Sequence, residues 1–282
     1  MLPASVPWDA CAVKIHALST GVVRVKHSFL FPRTGPRRQL DLFLPGPWSG
    51  PLPIHCWAIE HEGRLLLVDS GERATAGNVP FARFEVSPEQ ELPGAMAAAG
   101  LELAAVDEVI LTHHHGDHVD GLVHLLARVR IHEDELSFAR QAFPAFMRRV
   151  LRQPLPPGFA PVPFALDGGP FGGFPRSRPL SPDGRILAVG TPGHTPGHIS
   201  VICIDDDGRH VMLAGDVTDS LEQLLARRPD AIGPDPRAHV ATLETVLAHC
   251  REHPTVFLPS HDPDSADRLA GSVTVEQAAF SV

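Results

Sequence analysis

The six residues His113-His114-His115-Gly116-Asp117-His118 bring four imidazoles and a carboxylate into one short segment. Imidazole nitrogen and carboxylate oxygen are the ordinary ligands of zinc and other first-row divalent ions. Side chains alternate along an extended chain, so His113 and His115 share a side and His114 faces away; His114 is read as a non-ligand. A histidine-rich surface turn is the plain alternative. The density of the run, placed directly after an apolar segment, argues for a metal site instead.

The elements that must position these groups are visible in the surrounding pattern. Residues 106–112 read as a buried strand and 121–126 as the start of a helix, which puts the motif on a loop at a strand's C-terminal end, where α/β folds place their chemistry. Three later segments repeat the arrangement of a short apolar strand followed by a turn with His or Asp. They are Gly190-Thr191-Pro192-Gly193-His194-Thr195-Pro196-Gly197-His198, Leu213-Ala214-Gly215-Asp216 and Leu258-Pro259-Ser260-His261-Asp262. The pattern predicts strands at 12–24, 53–60, 65–69, 106–112, 186–189, 200–204, 211–214 and 255–258, and helices near 92–99, 120–127, 134–151, 220–226 and 236–252. Strands come early and late with helices interleaved, as two similar halves packed sheet to sheet would require. Between them, 138–183 is rich in Pro, Gly and Phe (Phe143, Phe146, Phe159, Phe164, Phe171, Phe174) and too punctuated for long helices or strands beyond about Arg152. It reads either as a lid-like insertion offering an apolar groove, with loop 29–57 as the opposite wall, or as a loop whose aromatics pack it onto the domain.

Composition narrows the class. The 282 residues are 43 % apolar, enough for a substantial core, and show no linker, charge block or solenoid repeat, so they read as one domain over 1–282. No apolar run reaches membrane-spanning length, and Met1–Asp9 lacks the basic start and apolar stretch of a secretory signal. Cys11, Cys56, Cys203 and Cys250 fit no zinc or redox spacing, and free thiols in a reducing cytoplasm are expected, with no membrane partner. A formal charge of −9 and a pI near 6.0 exclude a nucleic-acid backbone as partner. Local basic clusters, Arg33, Arg37, Arg38 and Arg148, Arg149, Arg152, read as solvated loop and helix faces.

Taken in order, these segments resemble the metallo-β-lactamase superfamily: a His-x-His-x-Asp-His motif, then His, Asp and His at long intervals, over about 54–261, with the early turn Val68-Asp69-Ser70-Gly71 included. The resemblance implies a four-layer αββα sandwich and a site for two divalent ions, zinc first, with manganese, iron or cobalt also compatible. It assigns His113, His115 and His194 to one metal, Asp117, His118 and His261 to the second, and Asp216 to both. It gives Asp69 the task of bracing the metal loop, and leaves His198 and Asp120 as supporting rather than ligating groups. Two ions about 3.5–4 Å apart share a water and lower its pKa toward neutrality, which implies a hydrolase that needs no nucleophilic Ser or Cys.

Within the superfamily, the doubled Thr-Pro-Gly-His turn at 191–198, the run from Ala214 through Glu222-Gln223-Leu224-Leu225-Ala226 to Pro234-Asp235-Pro236, and Leu258–Pro263 resemble the N-acyl-homoserine lactone hydrolases, the quorum-quenching lactonases. That likeness implies attack of a metal-bridging hydroxide on a lactone or ester, with Asp117 and Asp216 catalytic, Asp117 as proton shuttle, an apolar acyl tail along the groove, and a homodimer as a compatible state. One position departs from the pattern. Many of these lactonases carry a Tyr three residues after the bridging Asp; here it is Asp219, and the chain contains no Tyr. Competing expectations are a thioesterase resembling glyoxalase II, an organophosphate hydrolase on the same fold, and a non-catalytic metal-binding protein.

Overall fold

The computed structural model describes residues 8–10, 13–35 and 37–279; Cys11 and the first residue of the expected 12–24 strand lie outside them. Two mixed sheets face each other. The first holds eight strands, β1 (Trp8–Ala10), β2 (Val13–Val25), β3 (Leu52–His61), β4 (Arg64–Val68), β5 (Ala82–Glu85), β6 (Glu108–Leu111), β7 (Arg128–His132) and β8 (Val162–Phe164), in the order β1-β2-β3-β4-β6-β7-β8 with β5 on β2. The second holds β9 (Gly169–Phe171), β10 (Phe174–Pro179), β11 (Ile186–Gly190), β12 (Ile199–Ile204), β13 (His210–Gly215) and β14 (Thr255–Pro259), ordered β14-β13-β12-β11-β10-β9.

Both faces of β3, β4, β6, β11, β12, β13 and β14 are largely buried, which is why they read as apolar runs in the sequence. Trp57 and Ile59 of β3, Leu66 and Val68 of β4, and Ile110 of β6 point into the space between the sheets, where they meet Ile186, Val201, Leu213 and Leu258. Their neighbours Cys56, Ala58, Leu65, Leu67, Val109 and Leu111 point outward against the helix Leu92–Ala98, which contributes Leu92, Ala95 and Met96. On the far side, Met212, Ala214 and Phe257 meet Leu243, Val246 and Leu247 of the 17-residue helix Pro236–Glu252. Layers therefore run helix, sheet, sheet, helix, and the expected αββα sandwich is the fold found.

The strand ends decide where chemistry can sit. β4 and β6 are parallel, as are β13 and β14. β11 runs the same way as β13, because both pair antiparallel with β12. Their C-terminal ends thus open on one edge of the sandwich, and two hydrogen bonds stitch the sheets together there: Ile199 N–H donates to Thr112 O at 3.1 Å, and His55 N–H to Ser260 O at 2.9 Å.

Three expectations need correction. The 120–127 helix begins earlier, as Gly116–Val119 continued by a 3-10 turn at Asp120–His124, so Asp117 and His118 stand in a first helical turn rather than on an open loop. The 134–151 helix is two, Glu133–Ala139 and Ala142–Leu151, the second starting beside Pro144, a residue suited to a helix's first turn. Most of the supposed insertion belongs to the sheets. Residues 162–179 form β8, β9 and β10, with Phe164 buried in the inter-sheet core and Phe174 under the outer helix. Pro163 and Pro170 are tolerated because β8 and β9 are edge strands. Only the earlier part, 138–155, stands beside the site. The described cysteines Cys56, Cys203 and Cys250 are buried and unpaired, and burial pushes the Cys250 thiol up to about 12.

Candidate metal centre

Seven donor side chains from four strand ends converge on that edge. His113 and His115 follow β6, His194 follows β11, Asp216 follows β13 and His261 follows β14. His113 Nε2 stands 3.0 Å from His115 Nδ1, and that atom stands 2.9 Å from His194 Nε2. Asp117 Oδ2 lies 3.4 Å from His261 Nε2, and Asp117 Oδ1 lies 3.9 Å from His118 Nε2. Asp216 sits between the two groups: its Oδ1 faces His118 Nε2 at 3.2 Å, and its Oδ2 faces His113, His194 and His261 at 3.8, 3.4 and 3.5 Å.

The spacing fits metal ligation. Nitrogen ligands about 2.0–2.1 Å from a tetrahedral ion stand roughly 3.3 Å apart. Imidazole nitrogens aimed at one another otherwise have little to bind. His118 Nε2 and Asp216 Oδ1 are buried with no hydrogen-bond partner, atoms that a cation would satisfy. At this edge, three donor trios have their ligand atoms within 4.8 Å of one another: His113, His115, His194; His113, His118, Asp216; and Asp117, His118, His261. Two adjoining sites sharing Asp216 account for all seven groups.

The electrostatics point the same way. Burial, then the charges of His118 and the other imidazoles, holds His113 well below the ordinary histidine range; burial and His194 do the same for His115. Both are therefore neutral, the form that can ligate. Burial opposes ionisation of Asp216, but His118 and His261 outweigh it and hold the carboxyl well below its usual range. Asp117 is drawn down to about 2 against the cost of burial, chiefly by His118 and His261. Against the cost of burial, Asp216 and Asp117 in turn raise His118 and His261 well above the ordinary histidine range, so carboxylates and imidazoles stabilise one another's charged forms here.

Behind the donors stands a set of orienting groups. Asp69 accepts His118 Nδ1–H at 2.8 Å, Thr112 N–H at 2.8 Å and Thr112 Oγ1–H at 2.7 Å, holding the motif from the end of β4 as expected. Asp69 adopts a left-handed backbone (φ 64°) to do so. Gly121 lets the helical turn press on this segment, because a Cβ there would collide with the Ser70 carbonyl. His198 Nε2 accepts the Asp216 N–H at 3.1 Å and thus sets that residue's backbone without joining the donor trios. His114 turns away from the centre, as alternation predicts, and meets Glu135. Asp120 also stays outside the trios; burial raises its carboxyl.

Two orienting residues are invisible to sequence reasoning. Asp230 accepts His194 Nδ1–H at 2.6 Å and is itself fixed by the N–H groups of Ile232 and Gly233 at 2.9 and 2.8 Å. Glu135 is fully buried and accepts from His114 N–H, from the His114 ring, from Thr195 Oγ1–H at 2.7 Å and from Gly197 N–H at 3.2 Å.

Above the centre opens a cavity of about 490 Å³, lined mainly by apolar side chains with His115, Asp117, His194, Asp216 and His261 at its polar end. Phe29, Leu42 and Phe43 form one wall and Phe143, Met147 and Leu151 the other, so both expected walls are present. Asp219 also lines it, and burial with the nearby Asp216 and Asp230 pushes its carboxyl up to about 7.

The family model for the metallo-beta-lactamase superfamily matches residues 49–261, a span that includes every donor named above. The chain belongs to the metallo-beta-lactamase superfamily. Among curated proteins similar to this chain, an uncharacterized protein of Bacillus subtilis, YobT, is 28 % identical over 173 residues (58 % of this chain, 61 % of YobT). A probable metallo-hydrolase of the same organism, YflN, is 29 % identical over 226 residues (70 % of this chain, 75 % of YflN). Solved structures share the fold at lower identity. An N-acyl homoserine lactone hydrolase with N-hexanoyl-L-homoserine at its catalytic metal center superposes with TM-score 0.69 at 18 % identity, over 90 % of this chain and 94 % of that one. AidC, a dizinc quorum-quenching lactonase, gives 0.65 at 17 %, over 92 % and 91 %.

Proposed function

We propose that this metallo-beta-lactamase-fold protein, read as one domain over 1–282, is a dimetal hydrolase that opens a lactone or ester with an apolar tail, an N-acyl-homoserine lactone or a related lactone. The observation that carries the reading is the junction of seven convergent donors with a mainly apolar cavity. His113, His115 and His194 would hold one ion, Asp117, His118 and His261 the other, and Asp216 both. Two divalent ions bound there, zinc or a similar first-row metal, would supply an activated water and polarise a carbonyl.

The remaining work falls to the chain. Asp117 lines the cavity and presents its carboxylate beside His261, where it can accept a proton and return it to the leaving oxygen. The apolar walls bind the acyl tail, each buried CH₂ contributing about 0.8 kcal/mol, and exclude water from the reacting end. Arg148 is the one Lys or Arg among the described residues that line the cavity, so a polyanionic thioester finds little to hold it there.

The test is turnover of a panel by metallated protein, followed by pH indicator and mass: short and long acyl-homoserine lactones, a plain γ-lactone, an aryl ester, a glutathione thioester and a phosphotriester. Lactone or ester opening that strengthens with tail length, and is lost in His115→Ala, is expected. Turnover confined to the thioester or the phosphotriester would overturn the substrate class. Asp219→Tyr restores the hydroxyl that many related lactonases place here, and a rise in lactone over aryl-ester turnover is expected from it.

A further inference from the structure

We infer that the mouth of the cavity docks on an anionic phospholipid surface, with the exposed apolar residues of both walls entering the headgroup layer and the flanking arginines meeting lipid phosphate. This goes beyond hydrolysis and does not depend on it. No helix among the described residues is long and apolar enough to cross a membrane, but resting on one needs only an amphipathic rim.

Large exposed apolar side chains are concentrated here. Eleven occur among the described residues, and seven stand on these two walls. Phe31, Leu40, Phe43 and Leu44 belong to the first, at 48–62 % exposure; Phe143, Phe146 and Val150 belong to the second, at 55–71 %. Leu40, Phe43 and Phe143 reach the cavity itself, so the patch is continuous with its opening. In the helix Ala142–Leu151, Phe143, Phe146 and Val150 recur at i, i+3 and i+7, a stripe turned to solvent, while Met147 and Leu151 face the cavity. Among the described residues, such a stripe has no partner.

Charge selects the partner. The chain carries −9 overall, yet residues 24–40 contain five Lys or Arg and 140–166 contain four Arg, with no Asp or Glu in either stretch. Two of these are already engaged: Arg24 pairs with Glu85 at 2.8 Å, and Lys26 is buried, donating to the Leu42 and Leu44 carbonyls. Arg33, Arg37, Arg149 and Arg152 are exposed. Asp41, the next acid after the first stretch, already has Arg33 at 3.9 Å. Behind Phe31, the Arg228 guanidinium lies 4.8 Å over its ring. The clusters expected to be merely solvated therefore flank one apolar opening. A second copy of the chain fits this surface poorly. Isologous pairing sets the same patch against itself, which would bring arginine wall to arginine wall, with Asp41 of the first wall already beside Arg33. A negatively charged lipid layer answers both features: its interface accepts Phe and Leu, and its phosphates accept guanidinium.

The test is co-sedimentation of the whole protein with vesicles of phosphatidylglycerol and phosphatidylcholine, and with pure phosphatidylcholine vesicles. Binding to the mixed vesicles, at least about tenfold weaker on the neutral ones and weakened by salt, is expected. Each arginine at such a surface strengthens binding about fivefold, so R149E/R152E should lower it by about 25-fold or more. Phe146→Ser with Val150→Ser, neither of which lines the cavity, should also release the protein while the thermal midpoint holds. Equal or absent binding to both vesicle types, or variants that bind as wild type, would overturn the inference. So would a dimer in sedimentation equilibrium that dissociates on Phe146→Ser, since a second copy would then cover this face.

Discussion

Asp230 takes the Nδ1–H of His194 at 2.6 Å, and two backbone N–H groups hold it in place. A carboxylate on the far nitrogen of a ligating histidine fixes its tautomer and orientation, and its loss typically costs 10–100-fold in metal affinity. Asp230→Asn should therefore weaken metal binding at the His113, His115, His194 site by about that factor while the Asp117, His118, His261 site changes little. A competition titration against a chelating indicator checks it; equal weakening of both sites would mean the substitution damages the whole edge instead. The same residue marks the limit of reading at this scale. The run His113–His118 carries its signal in its own residue types, and His114 could be set aside by alternation alone; His194, Asp216 and His261 were assigned through the family resemblance that their segments carry. Asp230 lies 36 residues from His194 in a loop with no such pattern, and only the fold brings them together. The nearest local hint is an acid three residues before Gly233, the setting of a side chain that holds its own turn.

The helix Glu133–Ala139 acts as a strut between two strand-end loops that carry His113, His115 and His194. Glu135 binds one loop through His114 and the other through Thr195 and Gly197. Glu135→Ala would leave those buried donors without an acceptor, so a loss on the order of 3 kcal/mol is expected. Urea midpoints of metal-free protein measure it without the contribution of bound ions, and Glu135→Gln, which keeps one acceptor oxygen, should recover part of the loss. A midpoint unchanged in Glu135→Ala would show that the loops hold each other without the strut. Elements were legible where burial writes a simple pattern. The strands of the two inner faces appear as apolar runs, and the helix Pro236–Glu252 begins and ends where expected, with Asp235 capping Arg237 and Ala238. They were illegible where packing overrides composition. β8, β9 and β10 contain Pro and Gly because they lie at or next to sheet edges, and the break after Ala139 follows Arg140 and Gln141, which carry no stop signal of their own.

The sandwich as a whole was legible through the family resemblance, with which the interleaving of strands and helices agrees. What was not legible is how its outer layers tie together far from the metal edge, and stability against acid depends on one such tie. His210 opens β13, Nδ1 2.9 Å from His249 Nε2 of the outer helix, with the His253 ring stacked at 4.5 Å and Phe171 on its other flank at 5.8 Å. Burial, with His249 and His253 adding to it, holds His210 down to about 4. In the unfolded chain the same imidazole titrates near 6.5. Between those values the unfolded state binds more protons, so stability falls as pH drops from about 6.5 to about 4. His210→Gln lacks this group and should gain on wild type by on the order of 2 kcal/mol between pH 7 and pH 4.5. The comparison uses urea midpoints of both metal-free proteins, so that acid effects common to the metal centre cancel in the difference. Dilute protein is needed, since the pI near 6.0 falls inside the window and removes the net charge that keeps chains apart. A difference that stays flat across the range would mean that His210 protonates as easily folded as unfolded, and that the layers open to water at this junction.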